Sequence, residues 1–360
     1  MRHSYLTAGM TFGRLSRLLA RNKISWTPAT AGRLLFLLQG SFWSSIFAAA
    51  EDLRFGRRLE TMHFGENPVF IIGHWRTGTT LLFKLMSLDE QFTAPTMFQA
   101  AEPDSMLTSR EYYKPVMKIF MKGTRPMDNV KVGMDEPQED EYALFRLTGR
   151  SPLERLVFPV NGSYFLEEWA AQKTTSKDQE NDMVQLKKFF TKIQYLRNGI
   201  MLSKNPFHSF RIRSLRQAFP GARFIQIHRH PFSVVPSTMN LWDILLKENT
   251  LNNTIHKHTV QEICRGMDLL REKITEGTAE LPPGSYAEIR FEEMEKDAVN
   301  SIRGLYSALG LKFPENMKGK IEKYMAENRN FQKNRFMLSE EEKTVIRSQL
   351  NDYMRKYKYS

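Results

Sequence analysis

The sequence predicts an α/β fold: a doubly wound parallel sheet flanked by helices, with helical extensions at both ends of the chain. Two observations support this prediction. The first strand candidate, at 68–73, is a continuous apolar run typical of a strand buried on both faces of a parallel sheet, and strand candidates alternate with stretches of helical pattern along the chain. The composition, with 41% hydrophobic and 26% charged residues, is that of a globular protein with a sizeable core.

The strand candidates follow one another along the chain at 68–73, 92–96, 200–204, 223–228 and 285–291. Helices are expected at 81–86, at 210–219, where Pro220-Gly221 ends the helix, and across 298–359. Residues 102–200 are expected to be mainly helical. Within them, 172–182 is the most polar stretch and is predicted to be a surface loop or a mobile segment.

The charge balance narrows the class of partner. The 360 residues include 52 Lys and Arg against 40 Asp and Glu, a formal net charge of +12. Such an excess favours an anionic partner: nucleic acid, an anionic membrane surface or a phosphorylated small molecule. Cys264 is the single cysteine of the chain, so an internal disulfide and a multi-cysteine zinc site are both excluded. No convincing metal-ligand spacing occurs, and no metal is expected.

The N-terminal segment leaves three alternatives open. Residues 34–50 form an apolar run of 17 residues interrupted by Gln, Gly and Ser, and Arg54, Arg57 and Arg58 follow it. The run predicts a helix that packs over the core, one that lies on a membrane surface through 34–58, or one that spans a membrane, for which about 20 apolar residues are usual. We expect residues 1–60 to form a helical segment and 61–360 a single α/β domain with a helical insertion at about 102–200.

The strand at 68–73 leads into a loop with the layout of a phosphate-binding loop. Gly73 and Gly78 are five residues apart, and a helical run follows. The N–H groups of such a turn point into one concavity, to which the helix dipole adds positive potential. A loop for nucleoside triphosphates has Lys where this chain has Thr79, so hydrolysis of ATP or GTP is disfavoured. Arg76 lies inside the loop, where a guanidinium can bind a phosphate or a sulfate in bidentate fashion.

A second anion-binding element follows about 150 residues later. The strand at 223–228 ends at Arg229, Pro231 follows, and Ser237 comes eight residues after the arginine. The spacing places Arg229 and Ser237 at the two ends of one strand–turn–helix junction, from which both could contact the same phosphate. Taken alone, Arg229 could equally be a solvated strand end.

Together, the segments FIIGHWRTGTTLL and RFIQIHRHPFSVVPSTMNLW resemble the two signatures of sulfotransferases that use 3′-phosphoadenosine 5′-phosphosulfate. The segment YAEIRFEEMEKDAVNSIRGLYSALGL resembles the region that follows the second signature, and the resemblance spans roughly 66–315. The loop is most similar to that of a broad, largely bacterial branch whose loop reads GHWRSGTTLL. This chain has Thr77 where many of those proteins have Ser.

The resemblance implies a P-loop-like fold and a site for the sulfuryl donor. It implies that the 5′-phosphosulfate is bound by Arg76, Thr77, Gly78, Thr79 and Thr80. It also implies that Arg229 and Ser237 bind the 3′-phosphate. Lys333 and Arg335 are candidates for the basic segment with which the family often closes the nucleotide site.

Sulfuryl transfer to an alcohol is an in-line displacement that needs positive charge at the transferring oxygens and a base for the attacking hydroxyl. The segment from Lys204 to His208 resembles the lysine-and-histidine segment of cytosolic sulfotransferases, in which histidine is the base and lysine steadies the bridging oxygen. His208 comes four positions after Lys204 here, whereas the corresponding distance in that branch is two positions. Glu139, in an acidic cluster at 135–141, is the competing base, and His74 is a lesser candidate.

The acceptor is predicted to be a hydrophobic alcohol, a sterol or another lipid. Aromatic and methionine side chains between the two signatures could line an apolar pocket; they are Phe92, Met97, Phe98, Met106, Phe145, Phe158, Phe165 and Trp169. A carbohydrate acceptor is the alternative, and a small-molecule kinase is the rival from another class. No nucleic-acid-binding signature occurs. We expect a cytoplasmic enzyme, with the membrane surface as a further location.

Overall fold

The computed structural model describes residues 6–115, 133–159, 166–167, 175–252, 256–329, 334 and 336–359. These residues form two compact units. The helical unit comprises 1–64, 95–197 and 241–258, and the sheet unit comprises 65–94, 198–240 and 259–360. The predicted division of the chain near residue 60 stays a prediction.

The sheet unit is built on a parallel sheet, as the apolar runs predict. Its described strands are β1 (Val69–Ile72), β2 (Phe92–Thr93), β3 (Ile200–Lys204), β4 (Arg223–His228) and β5 (Tyr286–Arg290). Their order in the sheet is β2-β3-β1-β4-β5, and each neighbouring pair is parallel. This confirms the predicted fold class. β2 is shorter than expected because Pro95 lacks an N–H donor and Thr96 already begins a helix with a capping box.

The register brings the ends of distant segments to one edge of the sheet. Ile71 of β1 lies opposite Lys204 of β3 on one side and opposite Ile225 of β4 on the other. Because the strands are parallel, the loops that follow β1, β3 and β4 all leave from the same edge. In open α/β sheets this carboxyl edge is where ligands bind.

Helices cover this sheet and close its core. In the sheet unit the described helices are α3 (Thr79–Met86), α8 (Ile212–Ala218), α10 (Val260–Thr278), α11 (Phe291–Lys296), α12 (Ala298–Ala308), α13 (Met317–Glu327), α14 (Glu340–Gln349) and α15 (Asn351–Lys356), with a 3₁₀ helix at Pro206–Phe210. Helix α9 (Pro231–Asn249) follows β4. One buried apolar cluster contains residues of β1, β3, β4 and β5 with residues of α3, α12 and α13. The helix predicted at 210–219 corresponds to α8, which begins at Ile212, after the 3₁₀ helix has ended at Phe210.

The helical unit contains the N-terminal segment and the insertion. Its described helices are α1 (Phe12–Ala20), α2 (Pro28–Glu60), α4 (Met97–Ala101), α5 (Glu141–Thr148), α6 (Glu154–Val157) and α7 (Ser176–Leu196). By length and composition alone, α2 would be able to cross a membrane. It begins with Thr27, whose side chain accepts a hydrogen bond from the N–H of Thr30, and with Pro28 in its first turn.

The prediction of a loop at 172–182 is wrong for residues 175–182, which the structure describes. Helix α7 already begins at Ser176, where Thr175 caps it by accepting a hydrogen bond from the N–H of Asp178. The polar first turns are stabilised by pairing, since Arg150 forms ion pairs with both Asp178 and Asp182. Residues 172–174 lie outside the described residues.

Candidate active site

The loop between β1 and α3 has the conformation that a phosphate-binding loop needs. Three of its residues have left-handed backbone, with φ of 130° at Gly73, 66° at Arg76 and 99° at Gly78. A Cβ at Gly78 would lie 2.1 Å from the ring of Phe291, and one at Gly73 would lie 2.5 Å from the carbonyl oxygen of Ile227. Only glycine meets both requirements at these two positions, because it has no side chain and adopts positive φ without strain.

The loop ends at the N-terminus of α3, which has no acidic residue in its first turn. The first N–H groups of a helix have no acceptor within the helix, and they carry the positive end of its dipole. Thr79 and Thr80 add hydroxyl groups at this end. The hydroxyl of Thr77 is used differently: it donates to the carbonyl oxygen of His74 at 2.6 Å and so braces the loop. The end of the loop therefore favours an anion.

The two predicted anion-binding motifs lie together. The Nε–H of Arg76 donates to the Oγ of Ser237 at 2.8 Å, across 161 positions of sequence. An Nη–H of Arg229 donates to the carbonyl oxygen of Arg76 at 3.3 Å. Two guanidinium groups and a hydroxyl are thus collected beside the helix N-terminus, an arrangement suited to a ligand with more than one phosphate or sulfate group.

The guanidinium of Arg229 rests 4.2 Å above the ring of Phe291, the residue against which Gly78 also packs. Burial lowers the pKa of Arg229 from its ordinary value, and nearby Arg76 lowers it further, while Glu292 opposes this effect. Two guanidinium groups held this close repel each other, and an anion placed between them would relieve that repulsion. Phe291 was not singled out by sequence reasoning, although it is the final residue of the last predicted strand, 285–291; in the structure β5 ends at Arg290.

Tyrosines near the C-terminus hold the end of β4, another contribution that sequence reasoning missed. The hydroxyl of Tyr353 donates to the carbonyl oxygen of Arg229 at 3.1 Å. The hydroxyl of Tyr359 donates to Glu292 at 3.1 Å and lies 2.9 Å from Nδ1 of His228. Because the hydroxyl hydrogen of Tyr359 goes to Glu292, Nδ1 of His228 carries the hydrogen that Tyr359 accepts. Burial lowers the pKa of His228 to about 4, so this histidine is neutral at pH 7.

His74, the lesser candidate base, is enclosed in the loop. Its Nδ1 lies 2.9 Å from the carbonyl oxygen of Trp75 and donates to it, which leaves Nε2 as an acceptor. Among the described residues, Nε2 is buried and has no hydrogen-bond partner. Burial lowers the pKa of His74 to about 4, so the ring is neutral at pH 7.

Lys204 is the last residue of β3, and His208 lies in the 3₁₀ helix that follows it, at the same edge of the sheet. Asn205 donates its N–H to Ile71 and accepts one from Phe207, which starts the 3₁₀ helix directly beside β1. Lys204 and His208 are both buried, and the ring of His208 packs edge-on against Phe70 at 5.3 Å between ring centres.

Ser209, also missed from the sequence, ties this 3₁₀ helix to the phosphate-binding loop, because its Oγ accepts the N–H of Gly73 at 3.2 Å. A Ser that follows a candidate His could have been noticed, but nothing local to it indicates a partner 136 positions away.

The acidic cluster at 135–141 lies in the helical unit, and its members make different contacts. Glu141 is buried and accepts a hydrogen bond from Ser151, and Asp135 pairs with Lys114. Glu139 is half-buried, just before α5.

Of the apolar side chains proposed for the acceptor, Phe165 and Trp169 lie outside the described residues, as do Lys333 and Arg335. The buried members are Phe92, Phe98, Met106, Phe145 and Phe158. The roles assigned to Glu139 and to these apolar residues stay predictions.

The chain is similar to known proteins over the segments that form this site. The chain matches the model of the sulfotransferase family over residues 68–315. It is 29% identical over 359 residues to omega-hydroxy-beta-dihydromenaquinone-9 sulfotransferase Stf3 of Mycobacterium bovis and of Mycobacterium tuberculosis, covering 98% of this chain and 91% of each relative.

Two solved structures share the fold. Sulfotransferase STF9 from Mycobacterium avium is 18% identical, with a TM-score of 0.68, over 92% of this chain and 86% of that one. STF1 from Mycobacterium tuberculosis is 14% identical, with a TM-score of 0.61, over 93% and 91%. The family match covers both anion-binding motifs and the strand after them, and the chain belongs to the sulfotransferase family.

Proposed function

We propose that this sulfotransferase moves the sulfuryl group of 3′-phosphoadenosine 5′-phosphosulfate to the hydroxyl group of a hydrophobic alcohol, a sterol or another lipid. The observation that carries the choice of donor is the hydrogen bond between Arg76 and Ser237. It joins a loop suited to one anionic group to a motif suited to another, as a donor with phosphate at two positions requires. A nucleoside triphosphate would call for a lysine at the position of Thr79.

In this proposal, different residues bind the two anionic groups of the donor. Arg76, the N-terminus of α3 and its threonines bind the 5′-phosphosulfate, and Arg229 with Ser237 binds the 3′-phosphate. In the transfer, the bond from sulfur to the bridging phosphate oxygen breaks as a bond to the acceptor oxygen forms, and the acceptor's proton passes to a base. Positive groups fixed before the reaction stabilise the charge that develops on the leaving phosphate.

The base is proposed to be His208, with Lys204 steadying the bridging oxygen and Glu139 as the alternative base. The position of Lys204 supports this assignment, because in the sheet it lies opposite Ile71, two residues before the loop begins. The closed surroundings of His208 require the acceptor hydroxyl to approach within the protein interior. A neutral imidazole there would be a suitable proton acceptor.

The proposed lipid acceptor is supported by the relatives. Stf3 of Mycobacterium bovis and of Mycobacterium tuberculosis is named for a hydroxylated menaquinone, and the similarity runs through nearly the whole of both chains. We place the enzyme in the cytoplasm, where a donor of this kind is made in bacteria, with the membrane surface as the source of its acceptor.

The first experiment is calorimetric titration of the full chain with 3′-phosphoadenosine 5′-phosphate, with adenosine 5′-phosphate and ATP as competitor ligands. Arg229→Ala should weaken binding of the bisphosphate about 10- to 100-fold, since charge-assisted hydrogen bonds contribute about 1.5–3 kcal/mol. Arg213→Ala, at an exposed arginine of the same unit, is the matched control and should bind as the wild type does. Equal affinity for ATP and the bisphosphate would refute the proposed donor and favour a kinase.

The base is tested by kinetics once sulfation of an acceptor is measured with a labelled donor. His208→Asn should lower kcat by about 10²–10⁴-fold with bisphosphate binding retained. Glu139→Gln is the parallel variant. A loss of kcat in Glu139→Gln, with kcat kept in His208→Asn, would assign the base to Glu139. Sulfation of glycans alone in an acceptor screen would refute the lipid acceptor.

A further inference from the structure

Helix α2 presents two different faces along its length. Its buried side chains are Thr30, Leu34, Leu37, Ser41, Ser44 and Glu51. On the opposite side, six large apolar side chains are 44% to 91% exposed; they are Leu35, Phe36, Phe42, Trp43, Ile46 and Leu53. At 3.6 residues per turn these six fall within an arc of about 120°, and they extend over about 27 Å of helix. We call them the apolar stripe.

No charge interrupts the first part of this surface. From Pro28 to Ala50, every exposed position of the helix is apolar, apart from Gln39. The one charged residue in that range, Arg33, is half-buried and donates to the carbonyl oxygen of Thr250 at 2.9 Å. Soluble proteins rarely expose a continuous apolar surface of this extent unless it is an interaction site.

Three arginines lie at the end of the stripe, in a stretch that also exposes Asp52 and Glu60. Arg54, Arg57 and Arg58 are exposed in the last two turns of the helix, and Trp26 is exposed just before its start. Aromatic side chains with a polar edge and arginines with an apolar stem are the residue types that settle at the boundary of lipid head groups and acyl chains. An in-plane membrane helix combines an apolar face with such basic residues.

The contacts of the buried face of α2 favour a helix that lies on a membrane over one that crosses it. The buried carboxylate of Glu51 accepts hydrogen bonds from the N–H groups of Leu107 and Thr108, at 2.6 and 3.1 Å, and pairs with Lys192 at 2.7 Å. Ser44 donates to buried Glu102 at 3.2 Å. A spanning helix would have to leave these partners and place Glu51 in hydrocarbon, which is costly for a carboxylate.

We propose that the apolar stripe docks on the surface of a bilayer that contains anionic lipids, with α2 in the plane of the membrane and its inner face retained by the helical unit. The alternative occupant, a second copy of the chain, would bring together two molecules that each carry a net charge of +12. That charge is complementary to anionic head groups and repels another copy. Docking would give the enzyme access to a membrane-embedded acceptor; in this respect alone the inference rests on the proposed function.

The test is co-sedimentation of the full chain with vesicles of phosphatidylcholine, alone or mixed with phosphatidylglycerol, without acceptor or donor. The wild type should bind the mixed vesicles more strongly than the neutral ones. Phe42→Glu with Ile46→Glu should lower the partition coefficient about tenfold or more, since these side chains supply apolar insertion. The matched control is Met337→Glu, at an apolar side chain that is 98% exposed elsewhere, and it should bind as the wild type does.

The charge contribution is tested separately. Arg54→Gln with Arg57→Gln should remove most of the preference for anionic vesicles, whereas Lys318→Gln with Lys323→Gln, at exposed lysines of α13, should retain it. High salt should release the wild type only partly, because apolar insertion is not screened.

Three outcomes would overturn the proposal: equal vesicle binding by the wild type and the stripe variant, a dimer in solution that the stripe variant abolishes, or resistance of the wild type to extraction at alkaline pH. Calorimetry with 3′-phosphoadenosine 5′-phosphate on the same preparations keeps the two proposals separable. If the stripe variant binds this nucleotide normally, it is folded, and failure to dock then concerns the membrane alone.

Discussion

Replacing Gly78 with alanine should damage both the stability of the fold and the nucleotide site. Gly78 is the N-cap of α3 and has a φ of 99°. A Cβ there would lie 2.1 and 2.7 Å from two atoms of the Phe291 ring. That ring also supports the guanidinium of Arg229 at 4.2 Å. The added methyl group therefore strains the backbone and displaces the residue beneath a ligand-binding arginine.

The expected loss in the free energy of unfolding of Gly78→Ala has two parts. Holding a residue with a side chain in a sparsely populated backbone region costs about 1–3 kcal/mol. Forcing a methyl group into a packed aromatic contact costs about 1–3 kcal/mol more, because the ring has to move within a close-packed core. The free energy of unfolding should therefore fall by about 2–6 kcal/mol, a large part of the total of about 5–15 kcal/mol that is usual for a domain.

The assay is urea unfolding of the full chain with and without 3′-phosphoadenosine 5′-phosphate. Gly310→Ala is the matched control, since Gly310 also has a positive φ, of 62°, but a Cβ there meets no atom within 4 Å. The control should lose only the backbone part, about 1–3 kcal/mol, and should keep its nucleotide affinity. Gly78→Ala should lose more stability than the control and bind the bisphosphate at least about tenfold more weakly, a difference of about 1.4 kcal/mol.

Equal losses of stability in the two variants would refute the reasoning, because the steric contact with Phe291 would then contribute nothing. Full nucleotide affinity in a folded Gly78→Ala protein would refute the assignment of Phe291 as the support of Arg229.

Two further predictions concern buried polar groups. Burial raises the pKa of Glu102 to about 7 from 4.5, so the folded state binds this proton more tightly than the unfolded chain does; stability should fall by about 3 kcal/mol as the pH rises from about 4.5 to above 7. In urea unfolding across that range, Glu102→Gln should show a smaller decline, and an unchanged pH profile would contradict the assignment. Tyr359→Phe should cost about 1–3 kcal/mol, because the Nδ1–H of His228 would lose its buried acceptor; a midpoint equal to that of the wild type would show that water or another group replaces the hydroxyl.

Local sequence was sufficient for the elements whose signal is carried by neighbouring residues. The strands β3 and β4 have the predicted bounds, since β3 begins with three apolar residues and β4 is apolar at Phe224, Ile225 and Ile227. The phosphate-binding loop was recognisable because glycine, arginine and a following helix lie within one short segment. The order of the two anion-binding motifs along the chain identified the family, which the match over residues 68–315 confirms.

Contacts between distant residues were decided by the tertiary structure alone. No local pattern pairs Gly73 with Ser209 or brings Tyr359 to His228, because the register of a parallel sheet and the path of the C-terminal segment create those contacts. For the same reason the polar start of α7 was misread, since its aspartates are balanced by Arg150. In α2, the sequence of the apolar run does not distinguish a helix that is buried in the protein from one that is exposed. Only packing determines which face of it is buried and which is left to meet another surface.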